Sequence, residues 1–145
     1  MKHLIKAVSV IPRRIEKCSW DKLVDKTYKE GELFVHDLEM DNTRFIDCTF
    51  QNINLTHCRL NNVVFDNCTF SEAFILYSAG NHVLFKHCKG LIGIKFCSLS
   101  NLRVIRHDGY ILFEYAVIRD GLLEHCDRQK IQDRFADIST IEIRP

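Results

Sequence analysis

Residues 48–70, CTFQNINLTHCRLNNVVFDNCTF, decide the fold, because a large apolar residue returns there at every fifth position. The row extends in both directions: Val35, Met40, Phe45, Phe50, Leu55, Leu60, Phe65, Phe70 and Ile75. A second, mostly smaller row lies two positions before each member: Leu33, Leu38, Thr43, Cys48, Ile53, Cys58, Val63, Cys68 and Ala73. A helix repeats every 3.6 residues and a strand every two, so neither accounts for a period of five. The chain therefore turns at every fifth residue.

A chain that turns a corner every five residues closes a four-sided turn in about twenty. Each turn can then pair with the next one through short parallel strands about 4.8 Å apart. In this geometry the large row and the small row both point inward. The other three residues of each unit point outward, so each face of the molecule can be examined separately.

Three units, at 48–52 (CTFQN), 58–62 (CRLNN) and 68–72 (CTFSE), carry a resemblance to a known family. They resemble the pentapeptide-repeat proteins, over about two-thirds of the chain. The usual small residue of that family is Ala, whereas this chain more often has Cys, Val or Ile, and Cys also behaves as a small buried hydrophobe. The resemblance implies an all-β fold, a right-handed quadrilateral parallel β-helix.

The repeat continues beyond Ile75 when two deletions are allowed, one near Gly90 and one between Arg106 and Gly109. Such deletions are tolerated at the corners of a solenoid. We therefore predict three segments, namely an N-terminal arm and capping helix (1–32), the β-solenoid (33–126) and a C-terminal cap (127–145). Apolar spacing predicts short helical caps at residues 13–29 and 128–138.

Composition limits the classes of function. Twenty Lys and Arg against nineteen Asp and Glu give a net charge of +1, which does not favour direct binding to nucleic acid or to an anionic membrane. Seven Cys is an odd number, so a reducing compartment fits better than a disulfide framework. The apolar run in residues 4–11 lacks a cleavage site, and no stretch reaches the length of a membrane span. We expect a cytoplasmic protein.

The outward positions of one face form an apolar and aromatic strip, and such strips usually mark an interface. The candidate interface comprises Phe74, Leu76, Tyr77, Phe96 and Tyr115, with Phe34 and Leu112 nearby. Three explanations stay open: the N-terminal arm covers the strip, a second copy packs on it, or another protein binds it. The opposite face is polar, with Asn42, Asn62, His82, Asn101 and Asp120 at equivalent positions.

A secondary candidate lies at the second deletion, where Arg103, Arg106 and His107 are close together in sequence. We expect a protruding loop there, which could contact an acidic partner or a phosphate group. A solvated basic corner is the simpler explanation.

The sequence does not indicate an enzyme. Cys48, Cys68 and Cys88 should stack inward as core thiols, and no CxxC or HxxxH pair completes a zinc site. His57 and His87 each precede a Cys, but neighbours on a strand point to opposite sides. Phosphate loops, nucleophile elbows and paired carboxylates are also missing from the sequence. We predict no catalytic residues, metal or cofactor.

The main functional prediction is a non-catalytic protein-binding module, for example an inhibitor or modulator of a bacterial enzyme. The family resemblance implies an alternative, because some bacterial members imitate duplex DNA, bind DNA gyrase or topoisomerase IV and protect them from quinolones. That mechanism requires an acidic surface, which a net charge of +1 does not favour. A further alternative is a structural component that assembles with copies of itself, as a homodimer for example.

Overall fold

A computed structural model describes residues 14–16, 32–37 and 39–145. Within these residues the chain forms sixteen short strands and one 3-10 turn, Arg128–Lys130. The strands are β1 (Arg14–Glu16), β2 (Glu32–His36), β3 (Glu39–Asp41), β4 (Arg44–Ile46), β5 (Asn52–Thr56), β6 (Arg59–Asp66), β7 (Thr69–Leu76), β8 (Ala79–Lys86), β9 (Lys89–Lys95), β10 (Ser98–Ser100), β11 (Arg103–Ile105), β12 (Ile111–Glu114), β13 (Val117–Arg119), β14 (Leu122–Glu124), β15 (Ile131–Arg134) and β16 (Glu142–Arg144).

These strands pair in parallel and stack into a solenoid of about five turns. Face 1 is the sheet β2-β5-β7-β9-β12-β15. On face 2, β3 pairs with the first part of β6, the first part of β8 pairs with β10, and β10 pairs with β13. Face 3 is the series β1-β4-β6-β8-β11-β14-β16. Face 4 has only isolated bridges, such as Thr49 to Thr69 and Lys89 to Asp108. The predicted all-β parallel solenoid is confirmed.

The corners use left-handed backbone. Sixteen non-glycine residues among those described have φ between 49° and 61°, and within a turn they recur every five residues at three of the four corners. Eleven of them are Asn, Asp or His, the types that tolerate this conformation best. The other five are Tyr77, Phe96, Arg106, Tyr115 and Phe135. At these three corners the corner residue is the third outward position of its five-residue unit.

Successive turns contain twenty or nineteen residues. Thr56 pairs with Leu76, Leu76 with Lys95, Lys95 with Glu114, and Glu114 with Arg134, so the third and fourth turns are one residue shorter. The missing residues fall on face 4, which confirms the two predicted deletions. Gly90 and Gly109 lie there with φ of 124° and 148°, and a side chain on either would collide with the carbonyl oxygen of the preceding turn.

The core is built from the two inward rows. On face 3, Phe45, Phe65 and Phe85 stack with ring centroids 4.8 Å apart and planes within 3° and 7° of parallel. The small row is buried as well, and its cysteines donate to carbonyls of the same turn or the turn before. Cys97, for example, contacts the carbonyls of Lys95 at 3.1 Å and Ile75 at 3.2 Å. Cysteine thus fills the small-residue position, and its thiol also hydrogen-bonds to backbone carbonyl oxygens near the corner.

The predicted helical caps are not supported. The segment from Asp127 to Pro145 continues the ladders, with β15 pairing to β12 and β16 to β14, and its helical content is limited to the 3-10 turn. The N-terminal capping helix lies outside the described residues, apart from Arg14–Glu16, which form strand β1 on β4. The exposed edge of a parallel sheet offers unpaired backbone groups, and these favour an added strand over a helix.

Candidate interaction surface

Five aromatic side chains stack along the corner between face 1 and face 2. We call this set the aromatic ladder: His57, Tyr77, Phe96, Tyr115 and Phe135. Successive ring centroids are 4.9 to 5.3 Å apart and successive planes lie within 16° of parallel. The rings follow the solenoid axis, so their edges and the two tyrosine hydroxyls face outward. They form a continuous ridge along five turns.

The ladder is exposed although it is apolar. Tyr77, Phe96 and Tyr115 are 52%, 46% and 49% exposed, and Phe135 is 81% exposed. Large aromatic side chains usually contribute to a core or an interface, since burying one removes a large apolar area from water. An aromatic ridge of this length is therefore a candidate contact surface.

All five ladder residues have left-handed backbone, with φ from 49° to 54°. For a bulky side chain this conformation costs about 1–2 kcal/mol per residue, whereas Asn or Asp adopts it more readily. Ring stacking offsets part of that cost, at about 0.5–1.5 kcal/mol per pair. Among the left-handed corner residues of the described chain, every Tyr and Phe lies on this one corner, and the other left-handed corners have Asn, Asp, His or Arg.

Face 1 extends the apolar surface beside the ladder. Phe74 is half-buried because its ring lies across Gly93, where a Cβ atom would be only 2.5 Å from the ring. Lys95 places its Nζ 5.1 Å from the centre of the Phe74 ring and 3.4 Å from a carboxylate oxygen of Glu114. The two charged side chains are only 28% and 21% exposed. Face 1 therefore combines apolar side chains with a partly desolvated ion pair.

The predicted interface residues are brought together. Tyr77, Phe96 and Tyr115 lie on the ladder, while Phe74 and Leu76 lie beside it on face 1 and are half-buried. Sequence reasoning missed Phe135, which lies twenty residues after Tyr115. Its signal was the same five-residue spacing, and it was lost because the repeat was not continued beyond Leu123.

The secondary candidate separates into two parts. Arg103 and Arg106 are exposed, as expected, but His107 is 5% exposed and its ring stacks on Phe70 with centroids 6.2 Å apart. The expectation of a protruding loop that presents His107 is wrong. Gly90 has no side chain at a position where a large inward residue recurs, and the His107 ring fills the space it leaves.

The imidazole of His107 is held by one bond. Nε2 lies 2.7 Å from the carbonyl oxygen of Gly90, so this nitrogen donates, and the buried Nδ1 has no hydrogen-bond partner. Burial lowers the pKa of His107, which keeps the ring neutral. We assign it a packing role.

The corner between faces 2 and 3 is polar, as predicted. Amide side chains bond from turn to turn, with Asn62 donating to Asn42 at 3.1 Å and Asn101 donating to Asn81 at 2.9 Å. His82 occupies the equivalent position in the intervening turn. The polar corner provides a comparison surface with the same backbone and different chemistry.

The cysteines that the structure describes lie in the core or at its edge. Cys48, Cys68 and Cys88 are buried in one column, as the spacing predicted. Burial raises the pKa of Cys97 to about 11, which disfavours the reactive thiolate. Within the described ranges no group of three or more His, Cys, Asp or Glu could hold a metal ion. The same part of the chain contains no helix long and apolar enough to cross a membrane.

The corners and parallel ladders define the class of protein, a four-sided β-solenoid made of five-residue units. Residues 39–75 match the family model described as pentapeptide repeats, in eight copies. Over residues 39–75 the chain is therefore similar to pentapeptide-repeat proteins.

Solved structures similar to this chain include two trypsin-treated variants of QnrB1, described as a plasmid-mediated fluoroquinolone resistance protein. One is 13% identical, covers 90% of this chain and 83% of its own, and has a TM-score of 0.40. The other is 12% identical, with 77% and 88% coverage and a TM-score of 0.33. No curated protein matches the sequence.

Proposed function

We propose that this chain is a non-catalytic protein-binding module whose binding surface is the aromatic ladder together with the adjoining outward side chains of face 1. The observation that carries the proposal is the left-handed backbone of the exposed ladder. Four Tyr or Phe residues occupy corner positions where Asn or Asp would be less strained, and 46–81% of each remains exposed. Ring stacking offsets part of that strain, and contact with a partner gives a reason for both the strain and the exposure of the rings.

The chemistry of the surface suits a protein partner. Aromatic side chains provide large contact area at a low cost in conformational entropy, and they are enriched in interface cores. The ring edges carry partial positive charge and favour edge-to-face contact with aromatic side chains. The half-buried Phe74 gives the surface its shape, and the Lys95–Glu114 pair supplies polar groups that can orient a bound partner. The surface is a rigid ridge without a deep pocket, so recognition depends on complementarity.

The test replaces one ring with the residue type that its backbone prefers. Phe96→Asn removes two stacking contacts and relieves left-handed strain, so we expect a folded protein that loses no more than about 2 kcal/mol of unfolding free energy. Partners are first captured on the immobilised wild-type chain, and their binding to each variant is then quantified. The affinity of Phe96→Asn for these partners should fall at least about tenfold.

His82→Asn is the matched control, since His82 occupies the equivalent corner position on the polar side. It should retain the same partners at wild-type levels. If Phe96→Asn binds every partner as tightly as the wild type does, the ladder is not the binding surface.

The topoisomerase alternative stays a prediction. A supercoiling assay of DNA gyrase with micromolar added protein tests it, and unchanged activity both with and without a quinolone would count against it. We also propose a reducing, cytoplasmic setting, because seven Cys is an odd number that a fully paired disulfide framework does not accommodate.

A further inference from the structure

The outward charges of face 1 have an order that relates its two ends. In the column that leads into the ladder corner, successive turns carry Leu76, Lys95, Glu114 and Arg134. In the column at the start of each face 1 strand, successive turns carry Glu72, Leu91, Tyr110 and Lys130. Glu72 pairs directly with Leu91, and the other two residues come directly before the paired residues Ile111 and Ile131. Reversing the order of the turns about the gap between β9 and β12 therefore exchanges the positions of Glu72 and Lys130.

A two-fold axis placed in that gap, parallel to the strands, would superpose face 1 on a second copy of itself. Such an axis keeps each column and reverses the order of the turns. It opposes Lys95 to Glu114 of the second copy, and Glu72 to Lys130 of the second copy. Both pairs are opposite in sign, and each occurs twice, because contacts across a two-fold axis are reciprocal.

The ladder obeys the same symmetry. Its last four residues alternate Tyr77, Phe96, Tyr115 and Phe135, and reversal about the same gap opposes Phe96 to Tyr115 and Tyr77 to Phe135. Each tyrosine then faces a phenylalanine, so no two hydroxyl groups are forced together in an apolar contact. Charge and aromatic pattern are independent features, and one axis matches the ladder and two pairs of opposite charge, while Arg134 lies opposite Leu76.

We propose that the occupant of this surface is a second copy of the chain, docked face 1 to face 1 about that axis with the two solenoid axes antiparallel. The inference rests on the proposed function and names the partner. The Lys95–Glu114 pair of each copy, at 3.4 Å, joins its counterpart to form a square of alternating charges. Phe74, beneath Lys95, supplies the apolar floor beside this square.

The size of the surface sets the strength of the contact. Four strands (β7, β9, β12 and β15) spaced by about 4.8 Å and five residues rising by about 3.3 Å each give a footprint of about 19 by 16 Å. An interface of this size is smaller than most specific protein contacts and is typical of a weak, transient one. We therefore expect reversible dimers that form in the micromolar range, and association must be measured over a series of concentrations.

The experiment is analytical ultracentrifugation of the full chain from about 1 to 500 μM. The wild type should shift from 17.0 kDa toward twice that mass. Lys95→Glu places two glutamates opposite two glutamates, and Glu114→Lys places two lysines opposite two lysines. Each variant alone should dimerise at least about tenfold more weakly than the wild type. The double variant, Lys95→Glu with Glu114→Lys, should recover the wild-type dimer.

The decisive sample is an equimolar mixture of the two single variants. Each copy in the mixture has a repulsive pair of its own, yet across the proposed axis every glutamate faces a lysine. We expect the mixture to dimerise while each variant alone does not. A wild type that stays monomeric, a mixture that stays monomeric, or a Lys95→Glu variant that dimerises as tightly as the wild type would each overturn the proposal.

Glu72→Lys and Lys130→Glu provide a second exchange pair on the same axis, for use where a change at Lys95 or Glu114 prevents folding. Circular dichroism of each variant checks the fold. A monomeric wild type that still binds another protein through Phe96 would overturn self-association and leave the proposed function standing. Loss of both the dimer and any binding that depends on Phe96 would overturn both proposals.

Discussion

His107 is the residue whose environment differs most from what its neighbours in sequence suggest. It lies between Arg106 and Asp108, both exposed, yet its ring is buried against Phe70. The missing side chain of Gly90 leaves the space, and the bond from Nε2 to the Gly90 carbonyl sets the orientation of the ring. Gly90 therefore lacks the bulky inward side chain usual at the centre of a unit, and His107, at the small-residue position of the next turn, supplies it.

Stability should fall in mild acid because of His107. Burial lowers its pKa in the folded chain, opposed in part by Asp108, whereas the unfolded chain has an imidazole pKa of about 6.5. As the pH falls below 6.5 the unfolded state binds a proton first, so the unfolding free energy decreases until the pH passes the lowered native pKa. Urea denaturation at successive pH values measures this decrease.

His107→Phe provides the comparison for that experiment. It keeps a ring over Phe70 and removes the titrating group, so the decrease in stability from pH 7 toward acid should be smaller than in the wild type. An identical pH dependence in the two proteins would show that His107 is not the group responsible. The expected reason for a smaller slope is that a buried neutral histidine must become charged, and phenylalanine cannot.

Among the elements, the rows of equivalent residues carry the stability, since each turn packs only on its neighbours. The face 3 row contains Phe45, Phe65 and Phe85 and then continues as Val104 and Leu123. Aromatic rings stack where three successive turns provide them, and aliphatic residues take over where the turns shorten. The same row therefore accepts both kinds of side chain.

Phe65→Ala should lower the unfolding free energy by about 3–5 kcal/mol, because it opens a cavity between two stacked rings. Phe65→Leu should cost less, since Leu123 shows that the row accommodates leucine. Urea denaturation monitored by circular dichroism measures both. Equal stability of the alanine variant and the wild type would contradict a close-packed row.

The C-terminal segment shows how an element depends on its template. Ile131, Phe135 and Ile138 have the spacing of a helix, which is why a helical cap was predicted. In the structure Ile131 instead pairs with Ile111 of the preceding turn, and the Phe135 ring stacks at the end of the aromatic ladder. Five-residue periodicity and helical periodicity overlap in so short a segment, and the edge of the preceding turn decides between them.

The whole molecule is a stack of nearly identical turns, so a complete turn should be removable. Deleting residues 57–76 joins Thr56 to Tyr77 and keeps every inward residue inward, because Thr56 and Leu76 occupy equivalent positions. We expect a folded, shorter solenoid with a lower thermal midpoint and an unchanged type of circular dichroism spectrum.

The control deletion removes one residue fewer, 57–75, and leaves Leu76 directly after Thr56. This shifts the following strand by one position, which would turn its inward residues outward. We expect this variant to be unfolded or much less stable. If both deletions behave alike in thermal unfolding, the register of the turns does not determine stability.

The five-residue rows alone were sufficient to predict the solenoid, both deletions and the placement of Tyr77, Phe96 and Tyr115 in one contiguous strip. These features depend on a local repeat, in which every unit meets its own equivalent in the next turn. The position of His107, the strand at Ile131–Arg134 and the adjacency of Lys95 and Glu114 followed only from the folded chain. Their surroundings come from residues nineteen or twenty positions away, and packing between those turns decides which side chain fills a gap and which charges meet.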